Sequence, residues 1–164
     1  MSMNDLKDLY IDQLQDLYSA NRQSSKVTAE LADKASDDEL VEALKAGVDG
    51  IEEGMRTVSA LVESHGADPS GEHCKGMEGL VKEARAHALE EDFGDDAVRD
   101  AMIVTQYQRM VHYGLAGYGC LVAFAKRLGL DDDAAKLQKC LDETYDGDRR
   151  MTDIATSGLN AAAV

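Results

Sequence analysis

At 164 residues the chain is long enough for one domain with a full core and too short for two. Its 17 Lys and Arg against 32 Asp and Glu leave a formal charge of −15, which repels phosphate backbones and anionic lipid head groups and so excludes nucleic acid and membrane surfaces as partners. A single proline, no tryptophan and 5% aromatics predict helices and no strands, and no apolar run approaches the ~18 residues that cross a bilayer.

The first helix is expected over about 4–35, with Tyr10, Leu14, Leu17, Asn21 and Leu31 on one stripe. Ser36-Asp37-Asp38-Glu39 has the Ser-x-x-Glu pattern in which each side chain bonds the other's backbone N–H, so a second helix starts there. Its inner face reads Leu40, Leu44, Gly47, Ile51, Gly54, Val58 and Leu61, and it ends near Gly66 and Pro69. After a loop over 70–74, Met77, Leu80, Val81, Ala84 and Ala88 mark a shorter helix that fades at Glu90-Glu91-Asp92. A fourth helix spans about 96–128, with Val104, Val111, Gly114, Tyr118 and Leu121 inward and Gly129 as a left-handed stop. Asp131-Asp132-Asp133 suits the positive end of a last helix, which turns Leu137, Leu141, Thr144, Asp148, Met151 and Ala155 inward. Past Ser157 the pattern is lost and the chain is expected to fray. The sum is one all-α domain over 1–164, with its core over about 4–157. It is a four-helix up-and-down bundle with an additional short helix in one long crossover, ferritin-like in outline.

Glycines interrupt the inner faces. Each costs about 1 kcal/mol relative to Ala in a helix interior, yet Gly47, Gly50 and Gly54 share one face, and Gly114 and Gly117 sit on another helix. Either helices approach closely there, or the larger side chains of a bundle interior are missing and leave a hollow. Cys74, Cys120 and Cys140 are odd in number without Cys-x-x-Cys spacing, and no signal peptide opens the chain, which points to a reducing cytoplasm. The His73-Cys74 pair lacks the four-ligand spacing of a zinc site. Glu52-Glu53 and Glu90-Glu91 read as solvated faces.

Several strings are long enough to be specific: Asp16-Leu17-Tyr18-Ser19-Ala20, the stretch from Cys74 to Ala84, Val98-Arg99-Asp100-Ala101, and His112-Tyr113 followed by Ala116, Tyr118-Gly119 and Leu121. On these the chain resembles the YciF-like bacterial stress proteins of the ferritin-like superfamily over roughly residues 5–157. The resemblance implies a small, commonly dimeric helical bundle linked to stress responses. It also implies inner-face carboxylates and a histidine that hold two iron or manganese ions. The chain departs from that pattern where the ligands belong. Asn21 stands in the slot usually held by Glu, Gly47 and Gly50 stand for His and Glu, and Gly54 stands for Gln or His. Val111 and Gly114 replace the acids around His112-Tyr113, and Thr144 replaces a Glu.

His112, Glu143 and Asp148 keep family-like identities and would hold one weakly bound cation if they converge; the simpler reading pairs Asp148 with a neighbour such as Arg149 or with His112, and holds His112 hydrogen-bonded in the core. No activated nucleophile, phosphate-binding glycine loop or acid–base pair is evident. The leading expectation is a non-enzymatic stress-associated protein without a di-metal centre and without a cofactor. It would act as a homodimer or through another protein, with Tyr107, Tyr113 and Tyr118 as interface anchors. The rival is a di-iron or di-manganese oxidase or peroxidase. A third reading places a small ligand in the bundle interior, rimmed by Leu17, Ile51 and Val111 with Asn21 as the polar group.

Overall fold

A computed structural model describes residues 3–164, and all of its regular structure is helical. The long helices are α1 (Leu6–Lys34), α2 (Asp38–Ser64), α4 (Asp96–Arg127) and α5 (Asp131–Ile154), with α3 (Lys75–Ala84) in the connection between the two pairs and a short α6 (Asn160–Ala162) at the end. α1 packs on α2 and α4, and α5 packs on α4 and α2, while α3 lies against α1 and α4. No helix is long and apolar enough to cross a membrane among the described residues.

Two polar clusters at opposite ends set the direction of each helix. At one end the buried Asp100 carboxylate, on α4, accepts from the backbone N–H and hydroxyl of Ser36 and from the backbone N–H of Asp37, at 2.9, 2.7 and 2.9 Å. At the other end Asp133, in the first turn of α5, accepts from the Tyr10 hydroxyl at 3.0 Å and meets His65 Nε2 at 2.7 Å, and Lys7 Nζ lies 3.0 Å from His65 Nδ1. α1 therefore runs up, α2 and α4 down, and α5 up. The link from α2 to α4 must climb the full bundle, roughly 40 Å for the 27 residues of α2, which is the single long crossover expected from the chain.

The Asp100 cluster corrects the expected cap of α2. Ser36 and Glu39 do not form a reciprocal box; Asp37 is the N-cap, its side chain accepting from Leu40 N. A carboxylate only 2% exposed demands donors, and this outranks a solvent-facing cap, so Ser36 turns to Asp100. Both left-handed stops are glycine, Gly66 at φ +74° and Gly129 at φ +70°. After Gly129 the Leu130 N–H reaches back to Ala125 O at 2.9 Å, closing the end of α4.

The tail also differs from expectation. Beyond Ile154 the chain does not fray: a π-helical turn over Ala155–Leu159 leads into α6, and Leu159 is buried against α4. The wider turn re-phases the helix, which is why its apolar residues no longer fit a 3.6-residue repeat. A second such turn, Arg85–Leu89, buries Ala88 beneath the crossover.

Candidate site at the bundle centre

The expected stripes meet in a core built on Leu14, Leu17, Leu44, Val58, Leu121 and Leu137. Midway along it the glycines take two distinct roles. A Cβ on Gly47 would collide with the Tyr107 hydroxyl, and one on Gly54 with the Tyr118 hydroxyl. Those two glycines are recesses into which tyrosines on α4 reach across the bundle. Gly50 and Gly114 differ, because a Cβ on either would meet nothing within 4 Å. At Gly117 the neighbour is a side chain, Leu17 Cδ1, 3.0 Å from the Cβ position. Close approach of helix backbones explains none of them. What remains is a pocket of ≈ 150 Å³ among the long helices, open to solvent past the exposed Gly50 and Gly147 and lined deeper in by Met77, Met110 and Val111 among others, with Gly114 in its wall. Ile51 and Asn21 line it as anticipated, whereas Leu17 packs into the core beside Gly117.

The tyrosines expected to anchor an interface are thereby corrected. Tyr107 and Tyr118 are each only 4% exposed, because the α2 glycines give their rings somewhere to go. Tyr113 is half-buried, its hydroxyl 3.0 Å from Cys74 Sγ and donating to Asp16 Oδ2 at 3.2 Å, over the space that Gly76 leaves. Cys74 itself caps α3, its sulfur accepting from Met77 N, and burial pushes its thiol up, so it is a structural cysteine. His73 turns away to Glu78 at 2.7 Å.

The substituted slots converge as the resemblance implies, and their chemistry is neutral. Asn21 Nδ2 donates to the Tyr118 hydroxyl at 3.0 Å, and Thr144 Oγ1 donates to the Cys140 carbonyl at 2.6 Å. Burial, and secondarily the Asp148 charge, pushes Tyr107 up to about 12, while burial raises Tyr118 and the Cys140 thiol as well. At neutral pH these groups carry no charge. Two iron or manganese ions require several converging anionic oxygens and imidazoles, and this wall of amide, hydroxyl, thiol and methyl groups does not fit them.

His112, Glu143 and Asp148 are not brought together as a trio. His112 is at the surface and not in the core, its side chain 62% exposed, with Nε2 3.0 Å from Asp148 Oδ1, which also accepts from Gln108 Nε2 at 3.1 Å. Glu143 instead pairs with Lys139 at 2.7 Å on the outer surface. Among the described residues no group of three His, Cys, Asp or Glu could hold a metal ion. The residue that sequence reasoning passed over is Thr28. It is fully buried behind the pocket, and its hydroxyl has neither solvent access nor a hydrogen-bond partner among the described residues. Its signal was present, since Thr28 stands seven residues after Asn21 on the same face of α1.

Fold and site together define a crossover-connected four-helix bundle protein with an uncharged centre. The chain belongs to the family described as a domain of unknown function, DUF892, whose model matches residues 5–164. It is similar to Protein YciF of Escherichia coli (strain K12), at 32% identity over 99% of this chain and 98% of that one. Among solved structures it matches the E. coli stress protein YciF with a TM-score of 0.88, at 31% identity over 96% of this chain and 99% of that one. It also matches YcfI, a putative structural protein from Rhodopseudomonas palustris, with a TM-score of 0.85, at 30% identity over 92% and 95% of the two chains.

Proposed function

We propose that the protein is a non-enzymatic, stress-associated member of this family that lacks a di-metal centre and acts through self-association, as a homodimer built on a ferritin-like scaffold in the cytoplasm. The observation that carries this reading is the Asn21–Tyr118 hydrogen bond at the bundle centre. It puts a neutral amide and phenol, together with Tyr107 over Gly47, where redox chemistry would need carboxylates. A relative of the same fold is described as a putative structural protein, which supports a mechanical or architectural role.

Metal content is the direct test. Protein purified after growth with added iron and manganese is expected to carry far less than one ion per chain by elemental mass spectrometry. About two ions per chain would replace this reading with the oxidase or peroxidase chemistry of a di-metal bundle. Self-association carries its own electrostatic signature. Two copies at −15 each repel, so raising salt from about 0.1 M to about 1 M, which shortens the screening length from ~10 to ~3 Å, should increase the dimer fraction in sedimentation equilibrium. A 17.7 kDa monomer at micromolar concentration under all salt conditions would defeat the dimer.

A further inference from the structure

The central cavity is placed where a ligand would be held, and its wall states what kind. We propose that it binds a small neutral ring compound bearing one hydroxyl group, of the size and polarity of phenol. A volume of ≈ 150 Å³ is that of an engineered cavity able to hold a benzene ring. Most of the wall is apolar, from Ile51, Met77, Met110 and Val111 together with the bare backbone at Gly50 and Gly114.

Tyr107 supplies the second and independent observation. Its hydroxyl belongs to a residue of the pocket lining only 4% exposed and makes no hydrogen bond to another described residue, a condition that proteins seldom leave uncorrected. A hydroxyl on the occupant can donate to it or accept from it.

Charge selects further. The inner wall offers no ionised group, and the charged residues of the lining, Glu143 and Arg150, are exposed at the rim between α2 and α5 and opposite in sign. An anion or cation would give up its hydration and gain no counter-charge inside.

This inference rests on the uncharged centre of the proposed function and is independent of dimer formation. The full chain is titrated with phenol, benzene and benzoate. Binding is followed by calorimetry and by the methyl NMR signals of Met77 and Met110. Phenol is expected to saturate in the millimolar range or tighter, benzene to bind several-fold more weakly, and benzoate not to bind. Tyr107→Phe should weaken phenol several-fold and leave benzene unchanged, the signature of a hydrogen bond to that hydroxyl. Gly50→Leu, which plugs the rim, and Gly114→Leu, which fills the hollow from α4, should each lower phenol affinity at least tenfold. Either variant suffices if the other does not fold.

The proposal is overturned if no probe saturates by about 10 mM, a level at which even feeble binding registers. It is equally overturned if benzoate matches phenol, or if phenol affinity survives the filling variants and Tyr107→Phe. Failure of binding with metal content still near zero removes the ligand alone, whereas two bound ions per chain would remove the proposed function as well.

Discussion

Asp100→Ala should destabilise the fold by about 3 kcal/mol and lower the melting temperature by roughly 6–12 °C. The carboxylate accepts three bonds, two from backbone N–H groups and one from the Ser36 hydroxyl, and it is the tie between the α1–α2 turn and the start of α4. Charge-assisted bonds of this kind contribute about 1.5–3 kcal/mol each when fully buried. Here the discount is substantial, because Ser36 and Asp37 lie at the surface and water can replace the lost acceptor for part of the set. Asp100→Asn keeps the shape but turns an NH2 group toward donors, so about half the loss is expected. Asp37→Ala, which removes only a helix cap, should cost about 1 kcal/mol. Chemical denaturation of the three variants checks the order. A loss below about 1 kcal/mol for Asp100→Ala would show that the turn is not held from α4.

The second large effect is a change of sign along one helix face. Gly54→Ala puts a methyl group onto the Tyr118 hydroxyl and disturbs its bond from Asn21, so a net loss of about 1–2 kcal/mol is expected after the helix-propensity gain of about 1 kcal/mol is counted. Gly50→Ala and Gly114→Ala meet no such obstacle and should each stabilise by up to about 1 kcal/mol. The clash itself is tested with Tyr118→Phe. That substitution alone leaves the Asn21 amide unpaired and costs about 1–3 kcal/mol. In its presence the nearest ring atom to a Cβ at position 54 is Cζ at 3.4 Å, an ordinary contact, so Gly54→Ala should become stabilising. A double-mutant cycle with no coupling between the two positions would mean that the tyrosine does not occupy the glycine recess.

Much of this architecture could be read along the chain. Leu40, Leu44, Val58 and Leu61 are buried as their spacing requires, Gly129 ends α4 in the left-handed region, and Met77, Val81 and Ala84 face inward from the crossover. Such features depend on repeat length and local backbone preference, which residue order carries directly. The neutral character of the ligand slots was legible too, since Asn21, Gly47, Gly54, Val111 and Thr144 have no acidic oxygen to offer wherever they point.

Other features depended on partners distant in sequence. Ser36 serves Asp100, 64 positions away, and so cannot cap α2 with Glu39. Leu159 keeps the end of the chain helical by packing on α4, against what its local pattern suggests. Residue identity alone marks Tyr107 and Tyr118 as good contact surface; only the arrangement of α4 opposite α2 turns them inward onto two of the glycines and leaves two others facing a void. Helix periodicity and the absence of buried charge are properties of single segments, so the order of residues settled them. Whether a glycine receives a hydroxyl or borders a hollow is a relation between two helices, and that was decided by how the bundle packs.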